Sequence, residues 1–537
     1  MSNLGYYTNK ELEILKKAIN LAAEKKGRLI AQNPVMKQII HVLEDFIRDK
    51  ELVCYGGTAI NNILPEEDQF YNRDIEIPDY DVFSSNAIKD AKELADKYFK
   101  LGFTEVEAKA GVHHGTYKVY VNFFQIADIT QIDKNIFKNI KKDAIRKDGI
   151  YYAPPNFLRM AMYTELSRPA GDVSRWEKVL KRLLLLNKNY PLHAKDCDKE
   201  SFKKSLERFH SKYDMHEIHE LVRDVAIKEG LLFLGGYATS LYSRYVKNEE
   251  EKYYLEEIPD IDLLSVDPEK SAKNIKKILQ ENDIRNVKII KKEPIGEYLA
   301  EHVIITIDGK NIIYIYKPLS CHSYNNIKVG NDIIHVASID TMLSYFLIFL
   351  YADKPYFDEN RILCLCEYLL KVQQRNRLRQ RGLLKRFSIS CYGEQPTLEE
   401  IRNEKALQYK KLKDKKKSKE YEEWFLRYIP REDKNKKLSM NKTKSLESKK
   451  KTRSRTRKES KTKELMGLRE SVQSFTSPIE EMWLNESIKK KDNIDKTVSL
   501  SSIIPNSLND AGITVTPQSK LKSNKQRKTK KNRDKSI

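Results

Sequence analysis

Cysteine is scarce in this chain, with six in 537 residues. Cys54, Cys197, Cys321, Cys364, Cys366 and Cys391 are scattered, with no C-x-x-C pair and no matching histidine spacing. That excludes a zinc module and a secreted disulfide framework, and a reducing compartment is the expectation. Long apolar runs are lacking as well. The strongest, Met342 to Tyr351, is about half of the roughly 20 residues a bilayer span needs, so it reads as a buried helix and no membrane partner is expected. The start, Met1-Ser2-Asn3-Leu4-Gly5-Tyr6-Tyr7, lacks the basic and apolar regions of a signal peptide. The hydrophobic fraction is 40%, below that of an average domain, so part of the chain is expected to stay outside any core. The length allows two to four domains.

Charge is abundant, and it is uneven. Of 99 Lys and Arg and 77 Asp and Glu, residues 401–537 hold 39 and 18, which leaves the first 400 residues with 60 and 59. The net charge of +22 therefore belongs to the last quarter, in runs such as Lys415-Lys416-Lys417, Lys449-Lys450-Lys451 and Lys528 to Arg533. A helical stretch near 398–428 closes the folded part. Beyond about 432 the composition cannot offset the entropy of ordering, and disorder is expected. One apolar island, Phe475 to Trp483, reads as a short docking motif. Such a tail suits an electrostatic tether for a polyanion such as RNA; a solubilising or targeting tail is the alternative.

The first 400 residues contain a repeat. Val53-Cys54-Tyr55-Gly56-Gly57-Thr58-Ala59-Ile60 is followed by Ile77-Pro78-Asp79-Tyr80-Asp81-Val82-Phe83-Ser84. Leu232-Phe233-Leu234-Gly235-Gly236-Tyr237-Ala238-Thr239 is followed by Ile258-Pro259-Asp260-Ile261-Asp262-Leu263-Leu264-Ser265. Each copy continues into a helix, Ser85 to Phe99 and Pro268 to Leu279 with Asp267 as cap. Strands then run from Tyr117 to Asp128 and from Val303 to Lys317, the second pair turning at Asp308-Gly309. Helical segments follow at Phe157 to Leu186 and Thr341 to Leu370. The fold class is α+β, in tandem modules of mixed sheet with flanking helices. The divisions are an N-terminal helical region 1–50 (Asn9 to Lys25, Pro34 to Lys50), modules 51–190 and 226–395 joined by a helical linker 191–225, a helical extension 396–431 and the tail 432–537.

The repeated residues carry chemistry. In D-x-D on a strand, Asp79 and Asp81 point the same way, and Asp128 on a neighbouring strand would join them. Three crowded carboxylates are costly unless a cation is present, and oxygen ligands suit Mg²⁺ or Mn²⁺. A pair of such ions stabilises both attacking and leaving oxygens of a nucleotidyl displacement. The Gly56-Gly57 turn at a helix start offers N–H groups to a triphosphate, and Thr58 adds a hydroxyl. Either motif alone is most often a plain turn or a solvated strand end; their order and duplication point to nucleotide transfer.

Gly56-Gly57, Asp79-Tyr80-Asp81 and Asp128 resemble the pattern of the DNA polymerase β-like nucleotidyltransferase superfamily, with an insertion around Leu64 to Asp74. Residues 1–395 resemble, more narrowly, the poly(A) polymerase catalytic subunits of large DNA viruses, the poxvirus-like group. Tyr55 to Asn61, Asp79 to Ser84, and Phe157-Leu158-Arg159-Met160 through Arg168-Pro169 to Lys178 carry that resemblance. It implies template-independent addition of AMP from ATP to RNA 3′ ends, and a second, degenerate nucleotidyltransferase fold. One ion on Asp79, Asp81 and Asp128 would lower the pKa of the 3′-hydroxyl, a second on Asp79 and Asp81 would escort pyrophosphate, and Asp128 would serve as general base. Arg168, Arg175 and Lys178 would neutralise triphosphate charge, with surface ion pairs, such as one to Glu165 or Asp172, as the alternative. Trp176 and Tyr163 are base-stacking candidates or core residues. His113-His114-Gly115 is a substrate loop or a hairpin tip. The resemblance also implies a separate processivity subunit as partner, for which a homodimer or an enlarged second module would substitute here, and a host-cytoplasmic viral factory or the virion as location. If Asn122 aligns with Asn311, Asp128 falls on Lys317 and the second module does not catalyse; a slipped register would make Asp308 the third acid. Uridylyl or CCA transfer uses the same acids, and a non-catalytic RNA-binding scaffold is the rival from another class.

Overall fold

A computed structural model of the chain describes residues 2–195, 197, 202, 213–246, 261–352, 354 and 357–431. Asp260, most of the expected linker, the tail and the island Phe475 to Trp483 lie outside the described residues. Helix α1 (Ser2–Ala31) precedes α2 (Pro34–Asp49). Pro34 suits a first helical position, and Asn33 Oδ1 accepts from the Val35 N–H at 2.9 Å. Met36, Ile39, Leu43, Phe46 and Ile47 recur at helical spacing and are buried.

Twelve elements build the first module: β1 (Val53–Tyr55), α3 (Gly56–Ile63), β2 (Tyr80–Ser84), α4 (Ala87–Lys100), β3 (Val106–Ala110), β4 (Thr116–Val121), β5 (Phe124–Gln131), α5 (Lys134–Lys142), β6 (Ile145–Lys147), β7 (Ile150–Tyr152), α6 (Pro155–Leu166) and α7 (Trp176–Asn189). The second module follows the helix Met215–Lys228 with β8 (Leu232–Leu234), β9 (Ile261–Leu264), β10 (Val287–Lys292), β11 (His302–Ile307), β12 (Lys310–Tyr316), β13 (His322–Val329) and β14 (Asp332–Ala337). Two short strands, β15 (Cys391–Tyr392) and β16 (Arg427–Tyr428), come last.

The duplication read from sequence appears as topology. One eight-stranded sheet runs β16-β3-β4-β5-β2-β1-β7-β6, the other β10-β11-β12-β9-β8-β14-β13-β15. Strand directions agree pair by pair: β5 is parallel to β2 as β12 is to β9, and β1 is parallel to β7 as β8 is to β14. The remaining neighbours in the shared order are antiparallel.

This register corrects the alignment of the third acid. Asp81 pairs with Asp128, whereas Asp262, which pairs with Leu234 as Asp81 does with Tyr55, lies beside Tyr314. The counterpart of Asp128 is therefore Tyr314, and neither Lys317 nor Asp308. The slip arose at the turn. Asn122 and Phe123 form a two-residue hairpin with φ +50° and +66°, matching Asp308 and Gly309 at +46° and +79°. Phe at such a φ carries no turn signal, so the first hairpin was invisible. Lys317 instead pairs with Glu301 at 2.7 Å on the surface, and Asp308 accepts from Asn286 at 2.9 Å.

Other expectations shift too. The continuous helical reading of Phe157 to Leu186 breaks at Pro169 and Gly171 into α6 and α7, and Thr341 to Leu370 divides into Ile339–Ala352 and Glu359–Arg375. The cysteines expected as reduced thiols form two disulfides, Cys197–Cys364 and Cys321–Cys391, while Cys54 and Cys366 stay free and buried. The extension is helical at Leu398–Leu412 and Lys419–Phe425, but it ends in β16, which adds to the β3 edge of the first sheet. Lys92 pairs with Glu422 at 2.8 Å, Tyr117 Oη donates to the Glu423 carbonyl at 3.1 Å, and Lys405 Nζ donates to the Gly111 carbonyl at 2.6 Å. His114 packs its ring on Trp424 at 4.3 Å, so the His113-His114-Gly115 tip is held by the extension. Among the described residues no helix is long and apolar enough to cross a membrane.

Candidate active site

β1 and β2 run antiparallel, so Tyr55, at the end of β1, stands opposite Asp81. Alternation puts Asp81 and Phe83 on one face of the sheet. Tyr55 stacks on Phe83 at 3.7 Å, and Phe157 meets Phe83 edge-on at 5.7 Å. This apolar floor is why charge on Asp81 is costly. β5 lies parallel on the other side of β2 and sets Asp128 directly beside Asp81. Asp79 sits one residue before β2, held through its carbonyl by the Thr58 hydroxyl at 2.5 Å. Thr58 is 3% exposed; its hydroxyl is committed to positioning Asp79.

The three acids feel one another. Burial, with the charges of Asp79 and Asp128, pushes Asp81 up to about 7. Burial and Asp128 likewise hold Asp79 above the ordinary carboxylate range, against the pull of Lys118 and Lys178. Asp128 is the one already paired: Lys118 Nζ donates to its Oδ2 at 2.7 Å and Gln125 Nε2 to its Oδ1 at 2.9 Å. Among the described residues no three His, Cys, Asp or Glu side chains already stand close enough to hold an ion. The donor set nonetheless suits a hard divalent cation: three carboxylates, one raised to about 7, lack the positive charge that would keep all of them ionised. For Asp128 to join such a site it must exchange Lys118 for the ion.

Gly56 has φ +72°, and a Cβ there would come 2.5 Å from Asp81 Oδ2. The bare glycine thus lets the α3 N-terminus approach the acids. A Cβ on Gly57 would meet Tyr71 Oη at 2.8 Å and Arg182 Nη1 at 2.9 Å. The inserted segment folds back over α3 because Asn61 Oδ1 accepts from the Phe70 and Tyr71 N–H groups, each at 2.8 Å. Arg182 donates to Tyr71 Oη at 2.5 Å and stacks over Phe70 at 4.7 Å. Residues 175, 178 and 182 follow helical spacing. Lys178 acts on Asp79, Arg175 on Asp81, and Arg182 lies beside the glycine turn. Sequence reasoning named the first two and missed Arg182, although one more helical step would have reached it. It also missed Lys118, whose signal is the alternation of Thr116, Lys118 and Tyr120 with buried Tyr117, Val119 and Val121.

The remaining candidates lie elsewhere. Arg175 also pairs with Glu165 at 3.1 Å. Arg168 turns away from the acids towards His322 and Tyr345 of the second module. Tyr163 is fully buried. Trp176 donates through Nε1 to the Glu165 carbonyl at 3.0 Å and packs on Phe387 at 5.7 Å. Both are packing residues, not exposed stacking platforms. A cleft of about 390 Å³ opens beside Asp79, lined by Thr58, Asn61, Tyr71, Arg73 and Glu76 among others.

Known proteins are similar to this chain in sequence and in fold. Residues 41–172 match the family model of the poly(A) polymerase catalytic subunit. A protein of Acanthamoeba polyphaga mimivirus named as a poly(A) polymerase catalytic subunit is 28% identical over 340 residues, 58% of this chain and 57% of that protein. One so named in African swine fever virus (strain Badajoz 1971 Vero-adapted) is 33% identical over 190 residues, 33% of this chain and 39% of that protein. The chain thus spans little more than half the length of the mimivirus relative, and less of the other. The crystal structure of the Megavirus polyadenylate synthase has the same fold, with a TM-score of 0.65 at 21% identity over 83% of this chain and 90% of that one. In matched segment, in sequence relatives and in fold, the chain is similar to the poly(A) polymerase catalytic subunits of large DNA viruses.

Proposed function

We propose that this chain is a polynucleotide adenylyltransferase that adds AMP from ATP to RNA 3′ ends without a template. The observation that carries the reading is that Asp128 stands in register with Asp81, which is two residues after Asp79 and lies against the Gly56 turn. Asp79, Asp81 and Asp128 would hold Mg²⁺ or Mn²⁺, a pair of which supplies Lewis-acid stabilisation of the attacking and leaving oxygens. The chain's own residues do the rest. The α3 N-terminus and the cations Lys178 and Arg182 offset triphosphate charge on the Asp79 side. Asp128, once released from Lys118, receives the 3′-hydroxyl proton. A bond forms between the 3′-oxygen and the α-phosphorus, the bond from α-phosphorus to the bridging oxygen breaks, and pyrophosphate leaves. The second module, with Tyr314 where an acid is required, serves as scaffold. The boundaries 51–190 and 226–395 belong to the same proposal, as does a viral site of action.

Incubating the protein with Mg²⁺, a short RNA and each NTP separately is the test. Long tails with ATP alone are expected; equal use of UTP overturns the choice of adenylate, and transfer by an Asp79→Ala, Asp81→Ala double variant overturns the assigned site. The tail beyond 432 is proposed as an RNA tether. A chain ending at 432 should keep single AMP additions but lose RNA retention at moderate salt, and the slope of affinity against salt should flatten. Equal slopes with and without the tail would remove the tether.

A further inference from the structure

A second cavity, of about 220 Å³, lies between α6 and the second module. It is smaller than the roughly 300–1,000 Å³ of drug-sized sites, so it suits one phosphate-bearing unit, not a folded RNA. Two of its lining groups lack protein partners among the described residues: Arg168 Nε and His322 Nδ1 are both buried without a hydrogen bond. His322 is 3% exposed, and its other ring nitrogen, Nε2, faces Tyr345 Oη at 3.3 Å. Burial and Arg168 hold His322 down to about 3, so the ring is neutral at pH 7. In the tautomer in which the Tyr345 hydroxyl donates to Nε2, Nδ1 carries the proton and is a donor; this is the tautomer that an anion beside Nδ1 selects. The Ser323 N–H donates to the Ser167 carbonyl at 2.7 Å, a bond between chain neighbours of the two groups that brings Arg168 and His322 together. A guanidinium whose buried Nε has no hydrogen-bond partner among the described residues is costly, and a cation beside a second donor calls for an anion. Glu297 shares the cavity, but its Oε1 lies against Gly115, where a Cβ would approach to 3.2 Å. Glu165 relates the cavity to the acids: its charge acts on Arg168, and it pairs with Arg175, which acts on Asp81.

We infer that Arg168 and His322 form a phosphodiester subsite for the acceptor RNA, gripping one internucleotide phosphate upstream of the 3′ end. Lys178 and Arg182 occupy the Asp79 and Gly57 side, where the triphosphate charge is met; Arg168 lies past Arg175 and Glu165, against the second module. The inference rests on the adenylyltransferase reading and assigns its acceptor strand.

The full chain is titrated with a short oligoadenylate ending in 3′-deoxyadenosine, which binds but cannot be extended. Its phosphates are replaced singly by uncharged methylphosphonates. The wild type should lose affinity about tenfold at one linkage near the 3′ end. Arg168→Gln should bind the unmodified strand about tenfold more weakly and be indifferent to that same linkage, with KM for ATP unchanged. Should Arg168→Gln fail to fold, His322→Asn is read in the same way. Equal sensitivity to every linkage in wild type and variant overturns the subsite, as does a raised KM for ATP with strand affinity intact. Failure of the adenylyltransferase reading appears separately, as no AMP added by the wild type to a strand with a free 3′-hydroxyl.

Discussion

Asp81→Asn should reduce AMP transfer by about 10³-fold or more while making the metal-free protein more stable above pH 7. On the proposed reading the loss follows from removing a carboxylate that would face the reacting phosphate through a cation, where electrostatic stabilisation is the main catalytic term. The gain follows from the direction of the Asp81 shift. Its carboxyl is raised from the ordinary Asp range up to about 7. A group raised in the folded state favours folding fully below its unfolded pKa, and that contribution fades as pH climbs through the folded value. From near pH 4 to beyond pH 7 the wild type therefore forfeits on the order of 4 kcal/mol relative to an uncharged side chain of the same shape. Thermal melts at pH 4 and pH 8 check this: the variant's advantage should be several degrees at pH 8 and vanish at pH 4. Mg²⁺ should raise the wild-type melting temperature at pH 8 and the variant's much less, since the ion supplies the missing counter-charge. Undiminished transfer, or identical melts at pH 8, contradicts the site.

Gly56→Ala should cut kcat/KM by at least about 10²-fold, because a displacement near 1 Å at reacting groups costs that much. The methyl would press on Asp81 Oδ2 from 2.5 Å, at a φ of +72° that L side chains resist. Gly102→Ala separates the two causes. Gly102 also has positive φ, +95°, but a Cβ there meets nothing within 4 Å. It should lose about 1 kcal/mol of stability and keep full activity. Gly57→Ala should be milder than Gly56→Ala, since its methyl meets only the tips of Tyr71 and Arg182. Equal kinetics for Gly56→Ala and Gly102→Ala would show that the close approach to Asp81 does not matter.

Motifs that repeat were legible in the sequence: the paired glycines, the strands beginning at Tyr80 and Ile261 and the helices after them reappear as matching elements in sheets of one order. Asp128 was legible because a lone acid in an apolar strand stands out. Register was not. Phe123, exposed and at φ +66°, makes a turn through context that no residue preference announces, so the counterpart of Asp128 was misplaced by three residues. Arg168 was misread for a similar reason. Adjacency to Arg175 along the chain suggested a common target, but after the break at Pro169 and Gly171 Arg168 lines the cavity against the second module while Arg175 acts on Asp81. The cysteine pairs were hidden because 167 and 70 residues separate the partners. Alternation placed Lys118 on the outward face of its strand, but its pairing with Asp128 across the sheet is a tertiary fact that alternation does not give.

The two-residue strand Arg427–Tyr428 has a consequence for how the molecule comes into being. Its partner Lys109 is synthesised more than three hundred positions earlier. While the ribosome builds the second module, the hydrogen-bonding rim of the first is bare, a state prone to pairing with other chains. That rim is sealed only once residues 427–428 have been made, so the first module, made first, completes its sheet after the strands of the second.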